Sequence, residues 1–201
     1  MFTRHPAAAV LFHRDGTLIE NVADNADPSQ VEPMPGAQEA LTRMRRAGVQ
    51  VAVITNQPGV ARGRVSPDEL HEVNTRVEEL LGPFDAWAIC VHAEGDGCGC
   101  RNPAPGLVLR AADTLHVSPF DCVVIGDAGS DMAAARAAGA RGILVPTWQT
   151  RREEVEAARE VAGSLTDAVD RVDPLDYGVT LTRHSFTGLM DQAQVVGWSR
   201  W

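Results

Sequence analysis

The 201-residue chain contains no lysine. All 18 of its basic residues are arginine, so no ε-ammonium group is available for Schiff-base, proton-transfer or charge-neutralising work. A GC-rich coding sequence is the plain source of such a bias. Positive charge is also in deficit, with 27 acidic residues and a net charge of −9, which excludes general electrostatic attraction to nucleic acid. A local basic pocket for a small phosphate is still allowed. No apolar run approaches the length of a membrane span, and the first residues lack the long apolar stretch of a secretory signal, so the expectation is a cytoplasmic protein with no membrane partner. Internal repeats and low-complexity segments are absent too.

Cysteine is scarce but unevenly placed. Of the 4 cysteines, Cys122 lies in an apolar run and reads as a small buried hydrophobe, whereas Cys90, Cys98 and Cys100 fall within eleven residues that also contain His92. Three thiolates and one imidazole form a closed tetrahedral set of the kind structural zinc takes. Free thiols on a surface loop, the alternative, would be prone to oxidation.

With 44% hydrophobic and 22% charged residues, the composition is that of an ordinary globular domain. Buried strands are expected over 7–12, 49–54, 84–91, 122–125 and 142–145. Helices are expected over 37–47, 67–81, 105–115, 131–138 and 151–172, with Ser66 as a cap and Pro67 at the first helical position. Residues 58–64 read as a glycine-containing loop. This alternation predicts an α/β fold: a three-layer α/β/α sandwich with a central parallel sheet, no large cap domain, and a zinc-binding loop over 90–100. Ligands bind such sheets beyond the carboxyl ends of the strands. His13, Asp15, Thr55, the cysteine cluster and Asp127 all fall there. The main domain is expected to span 1–172. Residues 173–201 have no clear period but carry Trp198 and Trp201, and are expected to pack on the domain, a second subunit or another protein.

Four segments in order, HRDGTL, VITNQPGVARG, CVHAEGDGCGCRNPAPG and VIGDAGSDMAAA, resemble the haloacid dehalogenase superfamily. Within it they resemble the class III branch of heptose bisphosphate and histidinol-phosphate phosphatases. The resemblance implies that Asp15 is the general acid and base and that Thr55 binds the transferring phosphoryl group, with Asn56 and Gln57 beside it. It further implies that Arg101 contacts substrate phosphate, with Arg14 also near the pocket, and that Asp127 holds magnesium. Asp131 could face the same ion or could simply start a helix. The cysteine loop would stand over the site and help select substrate.

Two positions depart from the pattern. His13 stands where the superfamily has its nucleophilic, magnesium-binding aspartate, and Asn102 stands where a charge-neutralising lysine belongs. Imidazole is a poor magnesium ligand, so the expected cofactors are structural zinc and magnesium bound weakly or not at all. Three readings follow. The chain binds a phosphorylated small molecule, such as a sugar phosphate, or a protein partner with little turnover; or it hydrolyses or transfers phosphoesters through His13 or metal-bound water; or it uses Asp15 for unrelated chemistry.

Overall fold

The computed structural model describes residues 7–172, and the expected tail over 173–201 lies outside them. Five strands, β1 (Ala9–His13), β2 (Gln50–Asn56), β3 (Ala86–Cys90), β4 (Cys122–Gly126) and β5 (Arg141–Leu144), form one parallel sheet in the order β3-β2-β1-β4-β5. Among the described residues seven α-helices accompany them: α1 (Ala37–Arg46), α2 (Pro58–Ala61), α3 (Pro67–Leu81), α4 (Gly106–Thr114), α5 (Gly129–Ala138), α6 (Arg152–Ala157) and α7 (Leu165–Asp170).

Side chains alternate across each strand, so both faces of the sheet acquire a core. Val10, Phe12, Val51, Val53 and Ile125 pack with Leu41, Met44, Val73, Val77 and Leu165 from α1, α3 and α7. Ala9, Leu11, Ala52, Ile54 and Val124 pack on the opposite face with Leu107, Ala111, Ala134 and Ala135 from α4 and α5. This is the expected three-layer sandwich. Helix α3 starts in a capping box: the Ser66 hydroxyl accepts from the Glu69 N–H at 3.2 Å, and the Glu69 carboxylate accepts from the Ser66 N–H at 2.7 Å. Among the described residues no helix is long and apolar enough to cross a membrane.

Two local expectations are corrected. Residues 58–61 form a helical turn, α2, inside the expected loop. The single helix expected over 151–172 is two short helices, because the intervening residues pair with the sheet. Leu144 N–H donates to the Glu160 carbonyl at 2.9 Å and Ala162 N–H donates to the Leu144 carbonyl at 2.8 Å. β5 is an edge strand whose outer groups need partners, and residues 160–162 supply them. Ser164 then caps a fresh helix, accepting from Asp167 N–H at 3.1 Å.

Arg141 on β5 grips Glu160 through two bonds of 2.8 and 2.6 Å, both side chains about three-quarters buried. The bidentate geometry fixes the chain against the strand edge. Replacing Arg141 by Met is expected to cost about 1 kcal/mol, read as a lower urea midpoint at unchanged m-value. An unchanged midpoint would show the pair to be idle.

Candidate phosphate and metal site

Because all five strands run in one direction, the turns that follow them gather along one end of the sheet. The turn after β1 carries His13 to Thr17. Gly16 there has φ of +76°, and a Cβ on it would lie 2.5 Å from Asp127 Oδ2, so only glycine lets the turn approach the β4 end this closely. Gly16→Ala is expected to destabilise by roughly 2 kcal/mol from the left-handed backbone alone, with Asp127 displaced as well. Urea unfolding checks the first and a crystal structure of the variant the second.

Asp15 is held on both oxygens. Arg14 donates to Oδ1 through Nε at 3.1 Å and Nη2 at 2.9 Å. Oδ2 accepts from Gln57 Nε2 at 2.7 Å and from the Thr55 hydroxyl at 3.3 Å. Gln57 Nε2 also lies 2.7 Å from Thr55 Oγ. Asp15, Thr55 and Gln57 therefore form one network at the ends of β1 and β2. Asn56 turns the other way, its Oδ1 accepting from the Asn102 N–H at 3.2 Å.

Arg14 is not where the sequence places it. Instead of lining a phosphate pocket it is 1% exposed, with Nη1 on Asn74 Oδ1 at 2.8 Å and its other nitrogens on Asp15. It positions Asp15 from behind. Arg101 is better placed for an anion: Nη2 pairs with the exposed Glu94 at 3.0 Å, while Nη1 is buried with no protein acceptor.

The second cluster joins His13, Asp127 and Asp131. His13 Nδ1 lies 3.4 Å from Asp127 Oδ1 and 3.6 Å from Asp131 Oδ2. Burial disfavours charge on the ring, but the carboxylates of Asp131, Asp127 and Asp15 outweigh it and raise His13 to about 9. Asp131 is fully buried, and burial raises its own pKa while His13 opposes the shift. Asn102 Nδ2 donates to Asp131 Oδ1 at 2.7 Å, a neutral donor to a carboxylate. One nitrogen among the ligands does not suit magnesium, which takes hard oxygen donors in a tight octahedron. The magnesium expected of this fold does not match the residues present.

The four residues of the cysteine loop converge between β3 and α4. Around a tetrahedral zinc, sulfurs sit roughly 3.8 Å apart and sulfur and nitrogen roughly 3.6 Å apart, from bonds of about 2.3 and 2.0 Å. Cys90 Sγ is 3.8 Å from Cys98 Sγ, 3.2 Å from Cys100 Sγ and 3.6 Å from His92 Nδ1, and Cys100 Sγ is 3.3 Å from that nitrogen. The set can hold a metal with little movement. Burial and the contact with Cys100 push the Cys90 thiol up to about 12, so ionising it needs a cation close by.

Three supporting residues escape a reading of the sequence. Thr17 donates to Asp127 Oδ1 at 3.2 Å, Thr150 Oγ donates to the Asp127 carbonyl at 2.7 Å, and Asn74 anchors Arg14. Asn74 alone left a signal, being an amide on the apolar face of α3 between Leu70 and Val77.

The fold has known relatives. The haloacid dehalogenase-like hydrolase family matches residues 4–139. The D-glycero-β-D-manno-heptose-1,7-bisphosphate 7-phosphatase of Pseudomonas putida is 32% identical over 150 residues, 71% of this chain and 85% of the relative. That of Rhodopseudomonas palustris is 35% identical over 171 residues, 76% and 87% of the two chains. Among solved structures, the D,D-heptose 1,7-bisphosphate phosphatase of Bordetella bronchiseptica, complexed with magnesium and phosphate, superimposes with a TM-score of 0.74 at 26% identity, covering 82% of this chain and 97% of that one. With more than half its length matched by the family and its strand-end residues gathered at one edge of the sheet, the chain belongs to the haloacid dehalogenase-like hydrolases.

Proposed function

We propose that this chain is a sugar-phosphate phosphatase homologue that binds a phosphorylated small molecule and hydrolyses it far more slowly than its relatives. The observation that carries the reading is the orientation of His13. Its Nε2 is buried without a partner and its Nδ1 faces Asp127 and Asp131, so neither nitrogen is presented to an incoming phosphorus atom. In-line attack tolerates little displacement, which weighs against a histidine nucleophile.

The binding half of the site supports the other part of the proposal. Arg101 has a nitrogen without an acceptor, and Asp15, held by Arg14, Thr55 and Gln57, is oriented as an acid or base would be. The relatives named above act on heptose bisphosphate, which makes a sugar phosphate the first ligand class to examine. Zinc in the cysteine loop would order the segment that leads into Arg101 and Asn102. Unpaired thiols at Cys90, Cys98, Cys100 and Cys122 suit a reducing, cytoplasmic setting.

Calorimetric titration with heptose bisphosphate, histidinol phosphate and inorganic phosphate, run beside a phosphate-release assay, tests the reading. Binding that weakens about tenfold in Arg101→Ala, the loss of roughly one charge-assisted hydrogen bond, together with turnover far below that of the Bordetella enzyme, is the expected result. Rapid turnover that His13→Ala abolishes would assign His13 as nucleophile and overturn the proposal.

A further inference from the structure

The mismatch with magnesium has a positive counterpart. We infer that His13, Asp127 and Asp131 form a second metal site, selective for a borderline divalent ion of the zinc and cobalt class. The argument starts from distance. A protonated imidazole bonded to a carboxylate sits about 2.7–2.9 Å from the oxygen, yet His13 Nδ1 is 3.4 Å from Asp127 Oδ1 and 3.6 Å from Asp131 Oδ2. Those separations are long for hydrogen bonds. They are close to the edges of a tetrahedron built on bonds of about 2.0–2.1 Å, which are roughly 3.4 Å. An octahedral magnesium at about 2.0–2.1 Å would draw neighbouring donors to roughly 2.9 Å. The two nitrogen–oxygen separations fit the smaller coordination number.

Donor chemistry points the same way. One imidazole nitrogen with two carboxylate oxygens is a set that zinc, cobalt and their neighbours accept, whereas an all-oxygen set belongs to magnesium. Both carboxylates are already oriented by outer partners, as metal ligands are in general. Thr17 Oγ donates to Asp127 Oδ1 at 3.2 Å, Asn102 Nδ2 to Asp131 Oδ1 at 2.7 Å, and Ala128 N–H to Asp131 Oδ2 at 3.1 Å. Gly126 makes the close packing possible, since a Cβ there would lie 2.5 Å from Asp131 Oδ2.

An independent observation comes from Asn102. The residue is 8% exposed, and its Oδ1 is buried with no donor although its amide nitrogen is bonded at the cluster. A water on an ion held at the cluster would be a donor for that bare acceptor. Three protein ligands leave a fourth position for water or for an oxygen of the phosphorylated ligand. The departures at positions 13 and 102 then act together: one supplies nitrogen to the ion, the other orients its carboxylate. On this inference the pair exchanges one metal class for another.

The location of this site rests on the reading of the pocket as a modified phosphatase centre, but the metal is measured without phosphate, so the two can fail separately. Full-length protein with zinc in the cysteine loop is titrated with cobalt. The readouts are metal content per chain after gel filtration and the visible d–d spectrum, in which an oxygen and nitrogen site lacks the thiolate charge-transfer bands of the loop. Wild type is expected to take up one further cobalt. His13→Ala and Asp131→Asn are expected to weaken that uptake at least tenfold while keeping the loop zinc, which reports that each variant has folded. Excess magnesium is expected not to displace the cobalt. One metal per chain in the wild type, a second metal indifferent to His13→Ala, or displacement by magnesium overturns the inference. Cobalt binding without any affinity for inorganic phosphate would leave the metal site standing and remove the phosphate reading alone.

Discussion

Reverting His13→Asp together with Asn102→Lys is expected to raise hydrolysis of a sugar phosphate by on the order of a thousandfold in the presence of magnesium. Aspartate at position 13 would supply an oxygen nucleophile and, with Asp127, an all-oxygen set for magnesium. Lysine at 102 returns a cation to the place where Asn102 Nδ2 meets Asp131. Removing one electrostatic stabiliser from an active site typically costs about a hundred- to a thousandfold in rate, and residues that act as a unit are not additive. The single reversions should therefore recover far less than the pair. His13→Asp alone gathers three carboxylates with no new cation and is expected to lower the thermal midpoint unless magnesium is present. Initial rates of phosphate release from heptose bisphosphate, with and without magnesium, decide the matter. A double variant no faster than wild type would mean that the frame has lost more than these two groups.

Stripping the cysteine loop of metal is expected to have the largest effect on stability. Structural zinc contributes apparent binding free energies of about 10–16 kcal/mol in small peptides; bound here, it would offset the burial and the Cys100 contact that hold the Cys90 thiol up to about 12. Cys100 is packed among Leu107 and Ala111 at the base of α4, so loss of the ion reaches the core through this residue. Cys100→Ser, or prolonged chelation, is expected to lower the melting temperature by about 10 °C or more, which corresponds to several kcal/mol for a chain of this size. Affinity for phosphate should fall with it, because Arg101 and Asn102 directly follow Cys100, the loop's last cysteine. Zinc content by elemental analysis and a thermal melt on the same sample check this. A metal-free protein that melts at the wild-type temperature would show the loop to be independent of the domain.

The parts of the fold legible in the sequence are those set by neighbours along the chain. Alternating burial on β1 places Val10 and Phe12 in one core and Ala9 and Leu11 in the other, and the run of apolar residues announces it. Ser66, Pro67 and Glu69 declare the start of α3 by their spacing alone. The break after Ala158 was hidden because its cause is the unpaired edge of β5, a strand some fifteen residues earlier. Arg14 was misplaced for a similar reason. Beside an aspartate at a strand end a guanidinium reads as a ligand contact, and only the position of Asn74, 60 residues away, shows that it points inward. The cysteine cluster was readable because all its members lie in one loop, whereas the bond from Asn102 to Asp131 joins two turns and needs the sheet to bring them together.

The position of β1 in the middle of the sheet bears on how such a chain can change over evolutionary time. Its backbone is paired on both sides, to β2 and to β4, and its interior side chains are fully buried, so the strand holds its register whatever residue occupies its last place. His13 pairs with Ile54 through main-chain groups that an aspartate would supply equally well. Chemistry at the strand tip and cohesion of the sheet are thus nearly separable quantities. A lineage can exchange the reacting residue in one step, keep a folded and soluble product throughout, and expose the intermediate to selection for whatever the altered tip still binds.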